Sequence, residues 1–353
     1  SLFSHLERRP LLTSEHVSRD IHPETVALAL RYSHGHCIGS NTRCIAMLDC
    51  FKILIADYVT PSGTTLSRNL SPYLSTQISY LITARPLSVS MGTAIRLLKQ
   101  AISTRDIDKP DDDLKEELFD FIETFKRERI TVAGQVIVKL ATPRISDGDV
   151  VLVYAHSTIV LKILLAAAEQ GTRFSVVVAD SRPNFEGRRM LDALTTARVG
   201  GTTKDDLVGL PRGIPVTYIQ LTGLSYALKS VTKCLLGAHA VLANGALYSR
   251  AGTALVSMAC YEAHIPVMVA CETYKFGDRV QLDSFVINEL GRTTGMDVPQ
   301  AAKNSKANED TDPMSLVRKL NIMYDITPAK YITLCISELG SLPTTSVPAA
   351  LRE

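Results

Sequence analysis

The chain has 353 residues, 46% of them apolar, with 38 Lys and Arg against 36 Asp and Glu for a formal net charge of +2. That length predicts two domains with sizeable cores, and the near-balanced charge excludes a general nucleic-acid grip, which needs a clustered basic excess. No apolar run approaches the ~20 residues of a membrane-spanning helix, so no membrane span is expected.

Residues 1 to 142 predict an all-helical domain. "PETVALALRYSHG" begins with a proline suited to a first helical turn and stops near Gly35. "NTRCIAMLDCFKILIADYV" carries apolar residues at 44, 45, 47, 48, 51, 54 and 55, a helical spacing. "SPYLSTQISYLITA" and "SVSMGTAIRLLKQAI" follow, separated at Arg85-Pro86, because the residue before proline is pushed out of the α region. "STRDIDKPDDD" reads as a charged linker whose aspartates meet the positive end of the next helix. That helix is predicted over about 111–141, roughly 45 Å at 1.5 Å per residue. Leu114, Leu118, Ile122, Phe125, Val132, Val136 and Leu140 form its predicted apolar face, with Lys126 to Arg129 on the polar side.

From 143 to 353 the texture changes. "VVLVY" (150–154), "FSVVVAD" (174–180), "IPVTYI" (214–219), "AHAVLAN" (238–244) and "IPVMVA" (265–270) are continuous apolar runs. Helical patterns lie between them at 158–170, 187–198, 224–234 and 250–264. Strands apolar on both faces and separated by helices predict a Rossmann-like, doubly wound parallel sheet, so the whole chain is α/β with a helical N-terminal domain. Irregular surface insertions are expected near 200–213 and 291–313, and a helix end followed by an extended tail after residue 336.

Ligands in such folds bind at the C-terminal ends of the strands. Those ends offer His156, Ser157 and Thr158; Asp180, Arg182 and Glu186; Asn244, Ser249 and Arg250; and Glu272, Thr273 and Lys275. Arg182, Arg250, Lys275 and the N–H groups near Gly252 and Thr253 either hold an anion or satisfy loop backbones and subunit contacts. His156 and His239 are the bases available on paper; each lies at the edge of an apolar run, where a structural histidine is the commoner outcome. The seven cysteines (37, 44, 50, 234, 260, 271 and 335) show no C-x-x-C spacing and read as buried reduced thiols of a cytosolic protein. The "HGHC" run from His34 is too compressed to close a tetrahedral site alone. Neither metal nor cofactor is expected.

"GSNTRCIAML", "ARPLSVSM", "GDVVLVYAHS", "VVVADSRPNFEGRRM", "LLGAHAVLANGALYSRAGT", "VACETYKF" and "ITPAKYITLCISELG" occur in this order. The chain thereby resembles the regulatory subunits of eukaryotic translation initiation factor 2B, a family that shares its fold with methylthioribose-1-phosphate and ribose-1,5-bisphosphate isomerases. The resemblance implies that the isomerases' cysteine after the first strand falls at Ala155, and that their two aspartates fall at His239 and Ala246. An aldose–ketose isomerisation needs groups that give and take a proton, and a methyl group does neither. The implied role is that of a non-catalytic regulatory subunit of a guanine nucleotide exchange factor. Its implied partners are the alpha, beta, gamma and epsilon subunits and initiation factor 2, whose phosphorylated alpha subunit is sensed by the helical domain around Arg68, Glu128, Arg129 and Val132. The alternatives are an active sugar-phosphate isomerase, or a metabolite-binding module using Arg182, Asn244, Arg250, Gly252, Thr253 and Lys275.

Overall fold

In the computed structural model, residues 6, 18–106, 109–197, 213–283, 288–293, 296 and 319–350 are described. The predicted insertion at 200–213 lies outside them except for Gly213, and that at 291–313 except for 291–293 and 296.

The N-terminal part is helical: α1 (Pro23–Ser33), α2 (Ser40–Asp57), α3 (Leu66–Ala84), α4 (Val89–Ser103), α5 (Asp111–Phe125) and α6 (Ala133–Ala141). Pro23 opens α1, and His22 caps it by accepting the Glu24 N–H. Ser88 caps α4 in the same way, through the Met91 N–H. Leu28, Phe51, Leu54, Leu70, Leu81, Leu98 and Ile122 meet in one core.

Between α5 and α6 the backbone continues as a π-helical turn, Lys126–Val132. This corrects the apolar face predicted for the long helix. The buried residues run Leu114, Leu118, Ile122, Phe125, then step by five to Ile130, and on to Ala133, Ile137 and Ala141. A π turn holds an extra residue, so the face rotates. Val132 and Leu140 therefore emerge into solvent, 44% and 39% exposed, where regular spacing placed them inside.

A turn of 3-10 helix at Thr142–Arg144 leads into the sheet domain. Its elements are β1 (Val150–Tyr154), α7 (Thr158–Glu169), β2 (Ser175–Asp180), α8 (Gly187–Thr196), β3 (Val216–Gln220), α9 (Leu224–Ala227), β4 (Lys233–Gly237), β5 (Ala240–Leu242), β6 (Leu247–Arg250), α10 (Thr253–Glu262), β7 (Val267–Ala270), β8 (Phe276–Gly277), β9 (Tyr324–Thr327), β10 (Leu334–Ser337), β11 (Gly340–Leu342) and α11 (Val347–Ala350). The main sheet has the order β11-β10-β7-β4-β1-β2-β3, parallel except for the final β10–β11 pair. Val151, Val153, Val176 and Val178 pack on one face with α6 and α7, while Leu152, Val177 and Ala179 pack on the other with Val256 of α10. That two-sided burial explains the uninterrupted apolar runs.

Two sequence expectations are corrected here. The central strand is β4, at the end of a segment whose periodicity suggested a helix. "AHAVLAN" instead supplies β5 of a second sheet, ordered β8-β5-β6-β9, in which β5 and β6 form an antiparallel hairpin. Short apolar runs do not distinguish a buried strand from a buried helix. The C-terminal segment is also no simple tail, because β10 and β11 finish the main sheet and Val347 of α11 is buried.

Candidate functional site

Successive strands β1, β2 and β3 build outward on one side of the sheet, and the chain then returns to place β4 on the other side of β1. A crevice opens at such a reversal, beyond the C-terminal strand ends. It holds a cavity of about 360 Å³, lined by Ala155 to Ile159, Glu186, Leu236 to His239, Ser249, Arg250, Thr253, Lys275 and Tyr324, with Gly39 to Thr42 from the start of α2 across from them. Helical and sheet domains thus share its wall.

Ala155 follows β1 in the left-handed region, at φ 54°. A non-glycine residue there is uncommon, and the conformation presents only a methyl group to the cavity. The preceding Tyr154 hydroxyl joins Ser181 Oγ at 2.7 Å and donates to the Ala251 carbonyl at 2.5 Å. Its ring packs where a side chain on Gly252 would stand. Gly252 itself has φ 109°, so both space and backbone demand glycine. His156 is held below its ordinary pKa by burial and by Arg189.

Of the three predicted cations, Arg250 and Lys275 each have an internal counter-charge. Arg250 is gripped by Glu186 through two bonds, Nε to Oε2 at 2.9 Å and Nη2 to Oε1 at 2.6 Å. Burial works against its charge, yet Tyr324 and Glu186 beside it raise its pKa. Lys275 stands 2.7 Å from Glu272, and both are almost fully buried. Although burial pushes the Glu272 carboxyl up, Lys275 and Asn41 hold it below its ordinary value. The Gly252 and Ala254 N–H groups at the start of α10 both donate to Asp325 Oδ2, at 2.7 and 2.9 Å. Burial raises the Asp325 pKa to about 6 even so. The Thr253 hydroxyl donates to the Arg250 carbonyl.

Other sequence candidates lie apart from the cavity. Arg182 lines a second, smaller space of about 50 Å³ that shares Glu186 and Arg250. Asn244 is a turn residue, accepting from the Ala246 N–H and donating to the Gln281 carbonyl. Asp180 accepts from the Tyr218 hydroxyl at 2.8 Å, and Thr273 is held by Glu338. Arg68 is exposed on the first turn of α3, whereas Glu128, Arg129 and Val132 share the exposed side of the π-helical turn. Arg127 reaches Glu128 at 3.4 Å.

His239 lies against the rings of Tyr324 and Tyr248, at 4.5 and 5.5 Å between centroids. Both its ring nitrogens are buried without a hydrogen-bond partner. Burial, reinforced by Arg43, Arg250, Arg85 and Lys275, keeps its pKa well below the ordinary histidine value, so it is a neutral ring at pH 7. Residue-by-residue reading of the strand ends missed Arg43 and Arg85, which come from the helical domain. Arg85 donates to Glu289 at 2.8 Å and to the Tyr324 hydroxyl at 3.0 Å, and Arg43 is 1% exposed. A signal existed: Arg43 sits on the apolar stripe of α2 beside Cys44 and Met47. Among the described residues no group of three or more His, Cys, Asp or Glu is arranged to hold a metal, all seven cysteines are buried and unpaired, and no helix is long and apolar enough to cross a membrane.

The chain is thus of the α/β class with a helical domain over the switch point of a doubly wound sheet, around a cavity in which buried charges pair with one another. The Initiation factor 2 subunit family model matches residues 36–344, and the chain belongs to that family. Within it, the chain is 47% identical to translation initiation factor eIF2B subunit delta of Schizosaccharomyces pombe, across 100% of this chain and 73% of that protein. It is 31% identical to ribose 1,5-bisphosphate isomerase of Pyrococcus furiosus over 62% of this chain and 60% of the isomerase. Among solved structures, a chain of the tetrameric eIF2B-beta2-delta2 complex from C. thermophilum aligns with a TM-score of 0.80 and 33% identity, covering 96% of this chain and 97% of that one.

Proposed function

We propose that this chain is a non-catalytic, delta-type regulatory subunit of the guanine nucleotide exchange factor for translation initiation factor 2. It works in the cytosol, assembled with alpha and beta regulatory subunits and with the gamma and epsilon subunits. Through the exposed side of its π-helical turn and Arg68 it senses the phosphorylated alpha subunit of initiation factor 2. The observation that carries this reading over an isomerase is the state of the cavity. Ala155 offers a methyl group, and His239 is a neutral ring with no partner to orient it or exchange its proton. General acid–base catalysis needs a positioned donor and acceptor of matched pKa, and the cavity's carboxylates are committed to Arg250 and Lys275.

The isomerase cysteine and aspartate positions are thus filled by Ala155 and His239, and the fold serves as a scaffold for protein contacts. π-Helical turns are frequent at functional sites, which favours the segment around Glu128 as the sensing surface. The deciding experiment co-expresses the chain with alpha and beta subunits, measures the mass of the assembly, and adds it to an exchange assay with phosphorylated and unphosphorylated initiation factor 2. Stable co-assembly together with phosphorylation-dependent inhibition is expected. A monomer that converts ribose 1,5-bisphosphate would overturn the reading.

A further inference from the structure

Glu186 binds Arg250 through both carboxylate oxygens, and neither residue is more than one-fifth exposed. The residue before it, Phe185, sits at φ 45°. A bulky L-residue is disfavoured in the left-handed region, so the surrounding structure sustains a strained turn next to the carboxylate. Strain of this kind concentrates at binding sites and switches. Beside the pair, Arg250 Nη1 and both nitrogens of His239 are buried without partners. The Arg250 guanidinium also lies 5.2 Å from the Tyr324 ring centroid, which fixes its plane.

A forked guanidinium recognises carboxylate and phosphate by the same paired geometry. We propose that Glu186 is a built-in counter-anion that closes this cavity to phosphorylated small molecules, its carboxylate taking the place at Arg250 that a phosphate group would take. An incoming phosphate must displace a tethered ligand that is always present. It must then share a low-dielectric space with the carboxylate it displaced, and like charges there repel strongly. Other cations nearby are paired too: Lys275, which lines the cavity, with Glu272, and Arg85, bonded to the cavity residue Tyr324, with Glu289. Glu186 is the member whose removal frees a two-pronged cation already facing the open space.

The test titrates inorganic phosphate and ribose 5-phosphate into the full chain, by calorimetry and by melting temperature, against chloride at equal ionic strength. The variants are Glu186→Gln and the double variant Glu186→Gln/Arg250→Gln, in which two neutral amides replace the ion pair. Glu186→Gln is expected to bind phosphate at least about tenfold more tightly than the wild type, and the double variant to lose that gain. If calorimetry is limited by instability of Glu186→Gln, a phosphate-specific rise in melting temperature in that variant alone carries the same meaning. Saturable binding to the wild type that equals that of Glu186→Gln, or no phosphate-specific response in Glu186→Gln, overturns the proposal.

Discussion

Asn41 at the start of α2 donates its amide to Glu272 Oε1 at 2.8 Å, across 231 positions of sequence, and the Tyr274 hydroxyl donates to Asn41 Oδ1 at 2.6 Å. The helical and sheet domains are therefore joined by a polar network beside the cavity, one in which a buried acid depends on a donor from the other domain. Asn41→Leu leaves that oxygen without its donor and is expected to cost about 1–3 kcal/mol. Asn41→Asp sets a second carboxylate against it and is expected to cost more, about 3–5 kcal/mol. Urea unfolding of the two variants checks the order; equal effects would refute the network.

Two buried groups set opposing responses to acid. Unfolded His239 takes up a proton near pH 6.5, while the folded ring stays neutral to a much lower pH. The unfolded state then binds the extra proton below 6.5, and stability falls with pH by up to about 1.4 kcal/mol per unit. Folded Asp325 titrates at about 6 against 3.8 when unfolded, so between those values the folded state binds the extra proton and stability rises as pH falls. Relative to the wild type, His239→Leu should gain stability from pH 7 to 5. Asp325→Asn, which keeps an acceptor for Gly252 and Ala254, should lose stability relative to the wild type from pH 6 to 4. Urea unfolding at a series of pH values reads both slopes.

Glu128 is 58% exposed and pairs with its exposed neighbour Arg127 at 3.4 Å. Glu128→Lys should leave the melting temperature within about 2 °C of the wild type, as surface substitutions do. In a reconstituted exchange assay it should weaken inhibition by the phosphorylated alpha subunit of initiation factor 2. Unchanged inhibition would remove this segment from the sensing surface.

On α10, Leu255, Met258 and Tyr261 follow at steps of three and are 46%, 40% and 49% exposed. An exposed apolar row on the outside of the sheet domain is the kind of surface a partner subunit covers, and the prediction is that a beta subunit covers it. Met258→Glu should reduce the yield of the beta–delta-type pair on co-expression by about tenfold, with the chain's own melting temperature unchanged. A pair that forms normally would place the beta contact elsewhere.

Much of this molecule was legible in order of sequence. Apolar stripes at steps of three and four marked α1 to α5, because a helix buries one face. The valine-rich runs of β1, β2 and β7 marked strands covered on both sides. Where periodicity was interrupted the reading slipped: the extra residue at Lys126–Val132 turned the face of α6, and "KCLLG" is too short to declare itself a strand.

The strand-end residues were also readable, since topology dictates which loops face a crevice, whereas the methyl at Ala155 stood out only through the family resemblance. What the tertiary structure alone decided is how the charges are spent. Glu186 on Arg250, Glu289 on Arg85, and Asn41 on Glu272 bring together residues from tens to hundreds of positions apart. A charge carries no mark in sequence of the partner it will meet. Pairing depends on distances of a few ångströms in a space shielded from water, and only the folded chain sets those distances.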